Sequence, residues 1–335
     1  MKILPTLAAV AALTAPLVAQ EKLTVVYEGK DGPGKGKHIV LLAGDEEYRS
    51  EEALPQLGKI LSQRHGFKST VVFSIDPKTG EIDPKTTTNQ PGIEALDSAD
   101  LCIMLLRFRD WPAKQMQHFV KYFESGKPMI ALRTSTHAFN ITDPKSPLAK
   151  YHWQSKTDWI GGFGQQVLGE TWVAHHGNHK VEATRGIIEP AAKENPVLRG
   201  VDDIFGTTDV YTVKNLPADA KVLVRGQVLV GMKPTDAALE GEKNNPMMPI
   251  VWTREYRHDS GKTNRILTTT MGAATDLENE GLRRLVVNGA YWGLGMEAQI
   301  PAKADVSIVG EYKPSFYGFE GFIKGVNPAA HGLNP

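Results

Sequence analysis

The sequence predicts an α/β fold built on a mostly parallel sheet, and three observations point there. Short apolar runs suited to strands covered on both faces recur at 38–43, 101–106 and 129–132. Amphipathic helical stretches alternate with them, the pattern of βαβ crossovers. The composition, 41% hydrophobic and 23% charged, is that of a chain able to build a packed core and not of a disordered one.

Taken in order, residues 1–19 have the form of an export signal. Lys2 gives a basic start, Ile3 to Val18 is apolar, and Leu17-Val18-Ala19 offers a small residue for cleavage. The run is short of the roughly 20 apolar residues of a stable span. No cysteine follows it as a lipid anchor, and no later stretch is long and apolar enough to cross a bilayer. A periplasmic or extracellular protein is expected. Residues 20–37, Gly- and Lys-rich from Glu28, are expected to be a flexible lead-in. After the 38–43 strand, Ser50 is the expected N-cap of a helix, with Glu51 and Glu52 favourable in its first turn. Leu54, Leu57, Ile60 and Leu61 form its apolar stripe, Gly66 ends it, and Lys68 to Phe73 is the next strand. Following the 101–106 strand, Pro112 stands at a helix start, Met116, Phe119, Val120 and Phe123 make the buried stripe, and Gly126 closes it.

From about Tyr151 to Tyr211 the alternation loosens into Gly-, His- and Trp-rich segments, expected to be an insertion. Strand signals resume at Val222–Val230, Pro249–Arg257 and Arg265–Thr270, before a helix from about Asn279 to Leu294. A single α/β domain over 38–297 is expected, with a Pro-, Gly- and aromatic-rich tail, 298–335, strapped onto it. The single cysteine, Cys102, lies inside an apolar strand, so no internal disulfide forms and its role is that of a small hydrophobe. Thirty-eight basic and 38 acidic residues cancel. With no basic stripe, a nucleic-acid partner is not expected. The sequence does not fix the oligomeric state.

Ligands of parallel α/β sheets bind beyond the carboxyl ends of the strands, which places four segments on one rim. These are Gly44 to Arg49, Arg107 to Trp111, Arg133 to His137, and Met271 to Ala274. Asp45, Glu47, Arg49, Arg107, Arg109, Thr134 and His137 are therefore candidate substrate contacts, the arginines as forks for carboxylate, phosphate or vicinal hydroxyls. Each has a plainer role open to it. The acids precede a helix N-terminus, the arginines have those acids to pair with, and the 134–136 hydroxyls suit local capping better than a nucleophile elbow, whose glycines are missing.

The densest constellation is Trp172-Val-Ala-His175-His176-Gly177-Asn178-His179. On a straight strand His175 and His179 would stand about 13 Å apart. Gly177-Asn178 signals a two-residue hairpin, which would oppose His176 and His179 with Cβ atoms about 4.5–5.5 Å apart. That pair is the candidate metal site, for zinc or another divalent ion, with Asp209 or the acidic rim as third ligand. Substrate contact and plain hairpin polarity stay open beside it. No cofactor is otherwise indicated. His176, His179 and Asp209 are the candidate catalytic residues, and Trp172 and Tyr211 join the candidate substrate contacts.

Together these segments resemble the trehalose-utilisation (ThuA-like) family. The likeness runs from about His38 to Met296. It is carried by Gly161-Gly162-Phe163, Gly169-Glu170-Thr171-Trp172, His175-His176 and Asn195-Pro196-Val197-Leu198-Arg199-Gly200. Thr208-Asp209-Val210-Tyr211, Pro249 to Tyr256 and Thr268 to Gly272 with Arg283-Arg284-Leu285 complete it. The resemblance implies a flavodoxin-like, class I glutamine amidotransferase-like fold and a role in carbohydrate metabolism. The 44–49 segment and the long tail resemble the exported planctomycete-type subset. Asn195 replaces a histidine of the family pattern, and Ala273 stands where Gly-His is common. The amidotransferase cysteine is absent, with Thr134 to Thr136 in its place, so glutamine hydrolysis is not expected. The function expected is an exported enzyme hydrolysing or isomerising a sugar or oxidised sugar; the alternative is a non-catalytic sugar-binding or accessory protein.

Overall fold

The computed structural model describes residues 23–333, so the expected export signal lies outside the described residues. Ten strands form one sheet in the order β1-β3-β2-β4-β5-β10-β9-β8-β6-β7. Its centre is parallel: β3 (Lys68–Phe73), β2 (His38–Gly44), β4 (Leu101–Leu106), β5 (Met129–Leu132) and β10 (Thr263–Thr269). An antiparallel wing continues through β9 (Met248–Arg257), β8 (Lys221–Val228), β6 (Thr184–Ile188) and β7 (Ile204–Gly206). The molecule is thus a mixed α/β structure with one large sheet and few helices.

Alternation along the central strands splits the core in two, because successive side chains leave a strand on opposite faces. Ile39, Leu41 and Ala43 of β2 enter one layer with α1 (Ser50–His65) and α3 (Glu280–Gly293). Val40 and Leu42 enter the other, with Met116, Phe119 and Phe123 of α2 (Ala113–Glu124). Full cover on both faces explains why these strands are continuous apolar runs. Cys102 is fully buried there, and burial pushes its thiol far above the ordinary range. No described helix is long and apolar enough to cross a membrane.

Several local expectations change. Residues 24–27, inside the expected flexible lead-in, form the edge strand β1 (Thr24–Tyr27), antiparallel to β3, because Val25 and Tyr27 alternate into the core. Ser50 is not the N-cap: α1 begins with it, Arg49 precedes in the left-handed region, and Ser50 Oγ accepts from the Asp45 N–H at 2.9 Å. On α2, Val120 is only half-buried and Tyr122 takes the deeper place. The expected insertion contributes β6 and β7, too short and too weakly alternating to show as strands in the sequence.

Burial of the Glu51 carboxyl makes stability depend on pH. Both Glu51 carboxyl oxygens are buried without a described hydrogen-bond partner, and burial pushes the group up to about 8 from its ordinary 4.5. Between those values the folded chain keeps a proton that the unfolded chain has released, so stability falls as pH rises through that window. Urea midpoints at about pH 5 and about pH 8.5 are expected to show this decline in the native protein and a flatter profile in Glu51→Gln.

Candidate functional site

The strand order reverses between β2 and β4, so their carboxyl ends open a crevice at the switch point. The loop after β2 is pinned from inside. Asp45 is fully buried; its Oδ1 accepts the N–H groups of Glu47 at 2.7 Å and Tyr48 at 2.6 Å, and Thr134 Oγ1 donates to Oδ2. Burial and the neighbouring Glu46 push it up to about 6, opposed by those hydrogen bonds. Glu46 is gripped by Arg107 and, at 3.2 Å, by Arg109. The Arg109 guanidinium is buried against Ser74 Oγ and the Pro84 carbonyl. Arg49 is buried too, donating to the carbonyls of Glu47 and Gly318. Asp45, Arg49, Arg109 and Thr134 are therefore the frame that shapes the rim, with no free surface for a ligand in this conformation. Glu47 and Arg107 keep an edge in the cleft.

Behind that loop, β5 ends in a 3₁₀ turn, Arg133–His137, entered with Arg133 at φ 39°. This strained strand-to-turn position, where α/β enzymes often place a nucleophile, holds an arginine. Its guanidinium is fully buried and donates to the carbonyls of Asp209 and Thr270, both at 2.7 Å, and to Asp209 Oδ1 at 3.0 Å. It lies flat over Tyr211, 3.8 Å from the ring centre, and over Tyr48 at 4.6 Å. Ser135 Oγ donates to the Met104 carbonyl and accepts the Leu106 N–H, capping the end of β4, while Thr134 binds Asp45 and Thr136 bonds within its own turn.

The histidine segment departs from the expected hairpin. His175 bridges to Tyr211, and the His176 and Gly177 N–H groups donate to the Val210 carbonyl. A turn then runs from Asn178 to Glu182, closed by Glu182 accepting the Asn178 N–H at 2.6 Å and side-chain amide at 2.9 Å, with Lys243 on the same carboxylate. That turn brings His179 back beside His175, ring centres 4.8 Å apart. His176 points elsewhere, to the Lys243 carbonyl at 2.8 Å. The pair sharing Asp209 is thus His175 with His179, not His176 with His179, because a wider turn through Lys180 in the left-handed region, and not a two-residue hairpin, closes the segment.

Asp209 joins the two rings. Its Oδ2 meets His175 Nδ1 at 2.7 Å and its Oδ1 meets His179 Nδ1 at 3.0 Å. Burial alone would raise this carboxyl, but Arg133 and the two histidine hydrogen bonds overcome it and hold it ionised well below the usual range. An ionised carboxylate only accepts, so both Nδ1 atoms carry protons. His179 also faces Glu47 Oε1 at 3.3 Å. Held between Asp209 and Glu47, against the cost of burial, it is pushed up to about 9 and is an imidazolium at neutral pH. His175 remains 37% exposed, with Nε2 as its unprotonated nitrogen when the ring is neutral.

Aromatic rings wall the crevice. Phe108 packs on His137 and Trp153, Trp153 on Trp172, and Trp172 on His175. Tyr317 of the tail closes the far side, 5.5 Å from His179 and 5.2 Å from Tyr48. His137 is buried in this wall, kept neutral by burial and by Arg107 and Arg133. Tyr211 is buried under Arg133. The glycine-rich 161–164 stretch earns its place by close approach: a Cβ on Gly164 would lie 1.9 Å from the Thr136 carbonyl oxygen. Glu170 is likewise structural, accepting the N–H groups of Lys214 at 2.6 Å and Asn215 at 2.7 Å to fix the segment leading to Trp172.

Sequence reasoning missed Arg133, His175, Trp153 and Tyr317 as site residues. Arg133 was visible as a charge at a strand end, and His175 as a neighbour of His176. Only the fold could show which histidine turns inward. Among the described residues His175, His179 and Asp209 are the group able to hold a cation, their ligand atoms within 4.8 Å of one another. A zinc with ligands at about 2.0–2.1 Å would need those atoms to draw closer and both Nδ1 protons to leave.

Fold and site define an α/β protein with a charged, aromatic-walled cleft at the carboxyl ends of its parallel strands. The chain belongs to the trehalose-utilisation (ThuA) family, whose model matches residues 40–293. Its fold is similar to the crystal structure of a ThuA-like protein from Parabacteroides merdae, at 14% identity and a TM-score of 0.50 over 86% of this chain and 96% of that one. A ThuA-like protein from Bacteroides uniformis is 16% identical, with a TM-score of 0.47 over 80% of this chain and 95% of that one. Among curated proteins no match was found.

Removing one partner of a buried ion pair costs about 3–5 kcal/mol. Arg133→Met is expected to lower unfolding stability by about that much, measured in urea; a loss below about 1 kcal/mol would show that Asp209 does not depend on it.

Proposed function

We propose that this protein is a carbohydrate-processing enzyme that hydrolyses or isomerises a sugar or oxidised sugar by acid–base chemistry, with His175 moving the proton. The observation that carries this reading is the 2.7 Å contact from His175 Nδ1 to Asp209 on a ring otherwise open to the cleft. A carboxylate on Nδ1 fixes the tautomer and leaves Nε2 to take or give a proton, the orienting arrangement used in catalytic triads. Asp209 is committed to Arg133 and both histidines, so it orients and does not exchange protons. His179, a cation between two carboxylates, lends positive charge to a developing oxyanion. Glu47 and Arg107 offer an acceptor and a donor fork for hydroxyls, and the Trp153, Trp172 and Phe108 rings offer apolar faces suited to a sugar ring. Membership of the trehalose-utilisation family supports a carbohydrate ligand.

The fold supports a finer placement. Counted among themselves, the parallel strands β3-β2-β4-β5-β10 follow the order 2-1-3-4-5, which is the flavodoxin-like order. We assign the core to that class, with the class I glutamine amidotransferase-like folds. Export belongs to the same proposal, supported by the basic and then apolar opening residues. Protein recovered from a secreting host is expected to begin at Gln20; recovery of an intact Met1 from the cell interior alone would count against export.

His175→Gln is expected to lower turnover of a sugar substrate by about 10²-fold or more while its dissociation constant shifts by less than about twofold. Unchanged turnover would remove His175 from the chemistry. Binding with no turnover in the native protein would favour the sugar-binding alternative. Activity is expected to survive chelation. A stoichiometric metal lost in both His175→Ala and His179→Ala, with activity lost alongside it, would replace the acid–base reading with a metal-assisted one.

A further inference from the structure

The segment that carries Trp153 serves two cavities. Trp153 turns its ring into the cleft wall, against Phe108, His137 and Trp172. Its sequence neighbours, His152 and Gln154, line a different cavity, of about 590 Å³. That volume lies in the range that takes a small organic molecule, about 300–1,000 Å³.

The surround of this cavity is held in place. The Trp153 N–H donates to the Phe139 carbonyl at 2.9 Å, and the Trp153 carbonyl accepts from Thr171 Oγ1 at 3.0 Å. The Ser155 and Thr157 hydroxyls are hydrogen-bonded to each other at 2.8 Å, and Thr142 Oγ1 donates to Asp110 Oδ2 at 2.6 Å. Gly162 packs so closely that a Cβ there would lie 1.9 Å from the His152 carbonyl oxygen. A pre-ordered cavity loses little entropy when it is filled.

The lining divides by chemistry. Ile141, Pro144 and Ala149 form an apolar base, with Ile141 itself buried. His152 Nδ1 is buried with no described hydrogen-bond partner. Burial, opposed by Asp110, pushes this imidazole below its ordinary range. At neutral pH the ring is therefore a hydrogen-bonding group and not a charge. The charge comes from Lys156, exposed at the edge and in no ion pair among the described residues. An apolar base beside one unpaired cation suits a ligand with an apolar body and one negative group.

We propose that this cavity is a second binding site, separate from the cleft, for a small carboxylate that carries an apolar ring. The ring lies on Ile141, Pro144 and Ala149, and the carboxylate meets Lys156 with His152 beside it. This site goes beyond the carbohydrate reading and does not depend on it.

The test is calorimetric titration of the full chain with benzoate, 3-phenylpropanoate and cyclohexanecarboxylate. Acetate serves as the control without a ring, and the matching primary amides as controls without a charge. At least one ring carboxylate is expected to bind with a dissociation constant below about 5 mM. Acetate should bind at least about tenfold more weakly. The matching amide should bind about fivefold more weakly, the range of one exposed charge pair. Lys156→Met, a change at an exposed position, should remove the difference between acid and amide. Saturation with the acid should shift the Ile141 methyl signal in the NMR spectrum. No ring carboxylate binding below about 5 mM overturns the site. So does a Lys156→Met variant that keeps the full preference for the acid, or an Ile141 signal that stays in place at saturation. None of these results bears on the cleft.

Discussion

The buried pairing of Arg133 with Asp209 is the constraint around which the site is organised. A carboxylate with no exposed surface is tolerated only when its charge is matched and its lone pairs are filled. Arg133 supplies the charge, and His175 and His179 fill the remaining acceptor positions. The two partners come from different parts of the chain: Arg133 from the end of a central parallel strand, Asp209 from the loop leading out of β7. Their contact fixes the antiparallel wing against the carboxyl ends of the parallel strands. Asp276 braces the same joint, accepting from the Thr208 N–H and hydroxyl and from the Gly272 and Ala273 N–H groups. Gly272 and Ala273 after β10 thus bind a carboxylate that also holds Thr208, next to Asp209.

The rim is built in two depths for the same electrostatic reason. Asp45, Arg49 and Arg109 are buried and spend their hydrogen bonds on backbone groups and Glu46, which makes the 44–49 loop rigid. Rigidity there lets Glu47 and Arg107, which keep only an edge in the cleft, and the more open His175 hold fixed positions, as a preorganised site requires. The depressed carboxyl of Asp209 and the elevated imidazole of His179 are two sides of one arrangement, in which each charge lowers the cost of the other. Such opposed shifts in a cleft point to function more strongly than either shift alone.

The central strands and the three long helices were legible in the sequence because full burial writes itself as unbroken apolar runs and as helical stripes such as Leu54-Leu57-Ile60-Leu61. The segments flanking the cleft were legible only in part. β6 and β7 are short strands at one end of the sheet that carry mixed residues, so no period stands out. The rim was placed correctly by the strand-end rule, but sequence cannot rank depth, and Asp45 and Arg109 look as available as Arg107 until packing is known. The histidines show the limit most clearly. Gly177-Asn178 satisfies a hairpin signal, yet Glu182 accepting from Asn178 closes a wider turn, and that choice alone decides whether His175 or His176 meets Asp209. Both outcomes are local and compatible with the same residues; the tertiary demand of the buried Asp209 carboxylate selects between them.

That selection also sets how much freedom each group at the centre keeps. Three groups share the centre, but two have no freedom. Asp209 cannot take up a proton without stranding Arg133 in a fully buried position. His179 cannot release one without leaving Asp209 and Glu47 facing each other across a neutral ring. His175 alone is anchored on one nitrogen and open on the other. The centre is thus assembled from a parallel strand end, the loop after β7 and the turn before β6. The tail then completes the enclosure by laying Tyr317 over His179, which lowers the local dielectric and strengthens each of these interactions.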